Sequence, residues 1–441
     1  MICLPSTQQS ELTPMHLPKP TAGDTAWFVH DRFGMFIHWG LYAQPSRGEW
    51  MMTIEKVAPA LYAEKYLERF NPAQYDPRAW AKAARAAGMK YVVITAKHHE
   101  GFCLWDSAYT DYKVTNTPYG KDLLTPFVEA FRAEGLRVGL YYSLLDWHHP
   151  DFTIDIYHPL RDHADVASLN EGRQMPRYAE YIRNQVTELL TSFRPDILWC
   201  DFSYPKAEYL GLPGKGSADW ESEKLLALIR QISPNIILNN RMDLPDVRAD
   251  VYTPEQIQPT EWVQVNGEPV VWEACQTFSG SWGYHRDEDN WKSPEQLIMM
   301  LINSVCYGGN LLMNVGPTSL GTFDPRALKA LSVYADWMER HSDAIYGCTQ
   351  SEFAAPLDCR LTQKGKRVYV HVFAWPFRHI RLPNMASKVS YARFLHDGSE
   401  VPIEGTPWET DQMNLKPDEL VLFLPVKKPP VIVPVIELTL E

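Results

Sequence analysis

Ionisable side chains stand repeatedly at the ends of apolar runs in this 441-residue sequence. "YVVITAKHHEGF" breaks off at Lys97, His98, His99 and Glu100, "FGMFIHWG" carries His38 near its end, and "PDILWCDF" stops at Asp201. An acid that follows Ile, Leu and Trp is costly to bury unless a partner or a function compensates it. The alternative for Asp201, a helix N-cap, meets a poor helix start in "FSYPKAEYLG", so Asp201 reads as a nucleophile. A carboxylate nucleophile acting at an acetal carbon needs a second carboxyl group about 5–5.5 Å away, first to protonate the leaving oxygen and then to activate water. Glu255, in the loop sequence "DVYTPEQ", and Glu273, read as the tip of the run "VVWEAC", compete for that role. A loop acid suits proton exchange with water and a strand-tip acid suits holding a hydroxyl or a cation. Residue types alone leave the choice open.

His98 and His99 are neighbours, and neighbours on a strand face opposite ways, so both reach one site only if the strand has already ended. No HExxH or Cys/His cluster with zinc spacing accompanies them. The imidazoles therefore read as hydrogen-bonding groups, and no metal or other cofactor is expected. A GxSxG elbow, a Walker sequence and a glycine fingerprint after a first strand are missing as well. Trp39 beside His38 and Trp50 beside Glu49 repeat a pairing that suits a sugar, a flat apolar face next to a hydroxyl partner. Fifteen tryptophans and 22 tyrosines exceed what core packing asks for.

These residues need a scaffold that brings strand ends together. Short apolar runs at 33–40, 90–99, 136–147, 195–202, 235–241, 269–276 and 309–317 alternate with helical patterns at 76–88, 123–135, 178–193 and 222–232. That alternation predicts an α/β fold, a (β/α)8-like (TIM-type) barrel, with an irregular closure because an eighth run is not evident. His38, His98, His99, Asp146, Asp201, Arg241 and Glu273 would then converge on one face. After a last helix over 324–347, alternating runs at 367–375, 389–397 and 419–426 predict a C-terminal antiparallel β-sandwich. The expected layout is an N-terminal extension over 1–24, a catalytic barrel over 25–346 and the sandwich over 347–441.

A net charge of −12 argues against nucleic acid as a partner. No apolar stretch reaches the roughly 20 residues of a membrane helix. The first twenty residues do not read as a secretory signal, and seven cysteines lack a CxxC pairing, so a cytoplasmic protein is expected.

Taken together, "RFGMFIHWGLYAQPSRGEW", "YVVITAKHHEGFCLWDS", "VGLYYSLLDW", "ILWCDF", "LNNR", "WEACQTFSGSWGY" and "GGNLLMNVGPTSLG" resemble the α-L-fucosidases of glycoside hydrolase family 29. The resemblance covers roughly residues 25–347. It implies a barrel with a β-sandwich behind it and exo-acting hydrolysis of terminal α-L-fucose with retention. It makes Asp201 the nucleophile and favours Glu255 as acid/base, with Glu273 the alternative. It carries substrate-binding roles to His38, Glu49, Trp50, His98, His99, Tyr142, Trp199 and Arg241, and places Trp282 against the C5 methyl group. Asn240 departs from a frequent aspartate before Arg241, which would loosen that arginine. The implied partners are a fucosylated glycan and its product L-fucose, and a homo-oligomer is expected. Two other readings stand beside it: a catalytically silent, lectin-like fucose binder, and an exo-glycosidase for a different sugar.

Overall fold

The computed structural model describes residues 17–245 and 248–441. Most of the expected N-terminal extension, with Cys3, lies outside the described residues. Seven parallel strands form one curled sheet: β1 (Phe33–Ile37), β2 (Tyr91–Lys97), β3 (Arg137–Ser143), β4 (Ile197–Asp201), β5 (Ile237–Leu238), β6 (Glu273–Thr277) and β7 (Asn310–Val315), in the order β6-β7-β1-β2-β3-β4-β5. All but the first residue of β3 are buried in these strands, as expected of a parallel sheet covered on both faces.

The closure between β5 and β6 is the irregular part. Residues 251–255 lie between them and are held by isolated parallel bridges, Asn239 to Val251, Tyr252 to Trp272 and Glu255 to Cys275. Val251 N–H donates to Leu238 at 3.1 Å and Glu273 N–H to Tyr252 at 2.8 Å. Pro254 has no N–H to offer, so no regular ladder forms across this segment. "DVYTPEQ", expected as a loop after the fifth strand, is thus the ragged eighth stave, and Glu255 is its tip.

Helices α1 (Pro77–Ala86), α2 (Leu124–Ala133), α3 (Met175–Phe193), α4 (Ser222–Ile232), α5 (Pro294–Cys306) and α6 (Pro325–His341) surround the sheet. In α1 the Asp76 carboxylate accepts from the N–H groups of Arg78 and Ala79, Pro77 opens the first turn, and Trp80, Ala81 and Ala84 face inward. Helix α5 is absent from the sequence reading, although Ser293 and Gln296 cap it reciprocally.

The C-terminal part contains β8 (Thr349–Gln350), β9 (Cys359–Lys364), β10 (Arg367–Val372), β11 (His379–Leu382), β12 (Val389–Phe394), β13 (Leu420–Phe423) and β14 (Val435–Leu440). A five-stranded sheet β8-β9-β10-β14-β12 and the pair β11-β13 are antiparallel throughout and enclose their own apolar core. Trp337 of α6 donates its indole N–H to Val433 at 3.1 Å, tying the two parts together. The fold is a TIM-type barrel with an antiparallel β-sandwich.

Candidate active site

Strand alternation decides which side chains enter the barrel. In β4, Trp199 and Asp201 point inward while Leu198 and Cys200 pack toward the helices, and the register Tyr141 to Trp199 puts Tyr141 on the same inner side. The Tyr141 and Trp199 rings stack at 5.6 Å, and the Tyr141 hydroxyl donates to Oδ2 of Asp201 at 2.7 Å. The other oxygen, Oδ1, accepts from Arg241 Nη1 at 2.8 Å. Burial alone would push the Asp201 carboxyl up; the Arg241 charge, then His99 and the Tyr141 hydroxyl, outweigh it and hold it below the usual carboxylate range. Asp201 is therefore a carboxylate at neutral pH.

Arg241 Nη1 also donates to Oε2 of Glu255 at 2.7 Å. One nitrogen bonding both acids limits the separation of those two oxygens to about 5.5 Å, within the spacing of a displacement through a covalent intermediate. The guanidinium is fixed from behind, Nε to Thr253 Oγ1 at 2.9 Å and Nη2 to the Thr253 carbonyl at 3.1 Å, and it lies over the Trp199 ring at 4.4 Å. Among the described residues the Asn240 side chain makes no hydrogen bond to Arg241. Its side-chain carbonyl accepts from the Thr253 N–H at 3.2 Å and hydroxyl at 3.1 Å, so it steadies the arginine at one remove.

The wall opposite is imidazole and indole. β2 ends at Lys97, so His98 and His99 are free of strand alternation and both line the pocket. His38 Nδ1 lies 2.7 Å from Oδ1 of Asn314, and His99 Nδ1 lies 2.7 Å from Ser143 Oγ. Burial drives the His38 pKa to about 3 and that of His99 to about 4, and holds His98 well below the ordinary value. All three rings are neutral near pH 7 and offer one donor and one acceptor each. Phe36, Trp50, Phe202, Cys275 and Trp282 complete the lining.

A profile of the alpha-L-fucosidase family matches residues 5–343. The chain belongs to that family. It is similar to the solved structure of alpha-L-fucosidase isoenzyme 1 from Paenibacillus thiaminolyticus, 44% identical with a TM-score of 0.88, covering 95% of this chain and 98% of that one. An alpha-L-fucosidase of glycoside hydrolase family 29 from Bacteroides thetaiotaomicron, with a covalent intermediate trapped using 2-fluoro-fucosyl fluoride, is 28% identical with a TM-score of 0.81 and covers 97% and 98%. Human plasma alpha-L-fucosidase is 30% identical over 388 residues, 80% of this chain and 76% of its own length.

Several expected residues of this fucosidase-family chain lie elsewhere. Tyr142 faces outward, its hydroxyl donating to Gln185 of α3 at 2.9 Å, because the pocket side of β3 belongs to Tyr141. Glu49 is buried beside the pocket and is not part of its lining; its carboxylate accepts from the Gly283 N–H at 2.6 Å and so holds the loop that carries Trp282. Glu273 does not end β6 but opens it, pairing with Asn310 at the start of β7. Its carboxylate meets the Tyr91 hydroxyl at the N-terminal end of β2, well below the pocket face. Burial raises its pKa to about 7, against the opposing pull of Tyr91, Trp199 and Arg241.

Asp146 and two members of "KHHE" are also structural. Lys97 Nζ lies 3.3 Å from Asp146, both buried, and Glu100 Oε1 accepts from the Leu41 N–H at 3.1 Å. Gly101 has φ +86°, and a Cβ there would sit 2.1 Å from Oδ1 of Asp146, so the glycine permits both the turn and that close approach. Tyr141, Thr253 and Phe202 were missed in the sequence. The sequence does not distinguish Tyr141 from Tyr142 without the β3–β4 register, and Thr253 and Phe202 carry no signal in it.

Proposed function

We propose that the chain is an exo-acting, retaining α-L-fucosidase in which Asp201 is the nucleophile and Glu255 the general acid/base. Asp201 forms a bond to the anomeric carbon of a terminal α-L-fucosyl unit as the bond to the glycosidic oxygen breaks, and Glu255 gives its proton to that oxygen. Glu255 then takes a proton from a water whose oxygen displaces Asp201, releasing L-fucose with its configuration retained.

The observation that carries this reading is the single Arg241 nitrogen bonded to both carboxylates. Inverting enzymes need about 6.5–9.5 Å between their acids to admit a water. The Glu255 side chain is 42% exposed, so a leaving group and an incoming water can reach it. Phe36 and Trp282 form an apolar wall that suits a C5 methyl group and would strand a C6 hydroxyl without a partner. The trapped intermediate of the Bacteroides relative is consistent with the same route.

The test is release of nitrophenol from 4-nitrophenyl α-L-fucoside. Asp201→Gly should be nearly inactive and regain turnover with azide, and Glu255→Ala should lose far more on poor leaving groups than on nitrophenol. Equal loss on every leaving group removes Glu255 from its role, and β-L-fucose as the first product of the wild type removes retention.

A further inference from the structure

Asn314 of β7 is the register partner of Phe36 in β1, so its side chain turns to the inner face of the barrel with the pocket-lining Phe36. Its amide nitrogen donates to the Trp282 carbonyl at 2.7 Å. A carbonyl only accepts, so this bond fixes which way round the amide stands and turns Oδ1 toward His38 Nδ1, 2.7 Å away. That oxygen only accepts as well. Burial keeps the His38 ring neutral, so its single N–H proton sits on Nδ1 and Nε2 keeps its lone pair.

Ser143, at the end of β3, stands in the same relation to His99. Its Oγ lies 2.7 Å from His99 Nδ1, accepts from the Leu145 N–H at 3.0 Å and donates to the Leu145 carbonyl at 2.9 Å. Leu145 is fully buried, and among the described residues its carbonyl has no other donor, so turning the hydroxyl to the imidazole would strand that oxygen. With its one proton spent, Oγ accepts from His99 Nδ1–H. The other ring nitrogen, Nε2, lies 4.0 Å from Oδ2 of Asp201, beyond hydrogen-bond distance, as two acceptors should stand.

We propose that Asn314 and Ser143 are positioning residues that hold His38 and His99 as Nδ1–H tautomers, so that both turn an acceptor nitrogen to the pocket and select a sugar by hydroxyls that donate. The choice of a sugar rests on the fucosidase reading above; the tautomers rest on the hydrogen-bond geometry alone.

Among the described residues neither Nε2 makes a hydrogen bond, and both rings line the pocket. His98 is the contrast. Its Nδ1 is buried without a partner, so no neighbour fixes its tautomer. A wall with two fixed acceptors takes protons from hydroxyls and sets acceptor against acceptor when a fluorine or an ether oxygen stands in their place. Through its bond to Trp282, the Asn314 amide also ties the apolar wall to one of these acceptors.

Ring 15N spectra of the wild type, labelled in its histidines and recorded at pH 7, read the tautomers without a substrate, with His38→Gln and His99→Gln assigning the signals. Both rings should carry their proton on Nδ1, and either ring protonated on Nε2 overturns the role of its partner. Ser143→Ala should move the His99 proton to Nε2, and Asn314→Leu should release the His38 proton likewise; an unmoved proton overturns the lock in that variant. Values of kcat/KM on 4-nitrophenyl α-L-fucoside and its 2-, 3- and 4-deoxy analogues test the selection. Ser143→Ala should lower the value about tenfold for the fucoside but less than about twofold for one deoxy analogue, the one that lacks the hydroxyl bonded to His99. The same factor on all four substrates overturns selection by that hydroxyl. Failure of the wild type to turn over the nitrophenyl fucoside overturns the fucosidase reading instead, and leaves the tautomers to be decided by the spectra.

Discussion

Tyr141 donates its hydroxyl to Oδ2 of Asp201 at 2.7 Å, across the β3–β4 ladder in which Ser143 is the register partner of Asp201. The tyrosine holds one carboxylate oxygen and Arg241 the other, so the Asp201 carboxylate cannot rotate without losing a charge-assisted bond. Tyr141→Phe keeps the stacked ring and removes only the donor. It should lower kcat on the nitrophenyl fucoside by about 10- to 100-fold, the worth of a bond to a charged group. It should also move the acid limb of the pH profile upward, because the hydroxyl helps to keep Asp201 ionised. A variant with wild-type kcat and an unmoved limb would show that Arg241 suffices.

Thr253 supplies two of the acceptors that fix Arg241, one from its hydroxyl and one from its backbone. Thr253→Val removes the first alone. An expected loss of about 1 kcal/mol corresponds to roughly a fivefold lower kcat/KM, with the melting temperature nearly unchanged. A large fall in melting temperature with normal kinetics would make the threonine purely structural.

Glu273 supports a pH prediction. Its folded pKa of about 7 lies above the unfolded carboxylate value, so the folded protein holds this proton more tightly than the unfolded chain does. That contribution to stability is present below the unfolded pKa, near 4.3, and is lost as pH rises through about 7, by up to roughly 3 kcal/mol. Glu273→Gln should therefore gain in melting temperature over the wild type as pH rises from 5 to 8. A constant difference across that range would refute the assignment.

The pocket histidines act in the other direction. His38, His98 and His99 stay neutral when folded, whereas the unfolded chain protonates each near pH 6.5. Stability from these groups is complete above pH 6.5 and falls below it by roughly 1.4 kcal/mol per pH unit for each. Urea unfolding at pH 7, 6 and 5 should show the midpoint dropping on the acid side, and a flat midpoint would place charged imidazoles in the pocket.

The parts legible in the sequence were those fixed by local pattern. The Val and Ile runs gave the staves, and Asp201 announced itself as an acid at the end of one. What escaped was register. Glu273 reads as the end of "PVVWEAC", but the ladder starts where the run appears to finish, because Val270 and Val271 precede the pairing with β7 and belong to the approach. Tyr141 and Tyr142 are chemically identical in the sequence, and only pairing with β4 tells which one faces Asp201. Glu255 looked like a loop residue because its stave is held by isolated bridges and interrupted by Pro254, which leaves no periodic signal.

The ragged stave has a consequence for how such a site can change over generations. Asp201 ends a continuous five-residue ladder with β3, where a one-residue slip would turn every side chain of β4 to the wrong face. Glu255 hangs on a segment stitched at three separate points, where an insertion or a shift displaces one acid and leaves the barrel whole. Of the two carboxylates that Arg241 bridges, one is thus anchored in the architecture and the other is free to drift. Divergence in leaving-group preference can accumulate on that side without loss of the fold.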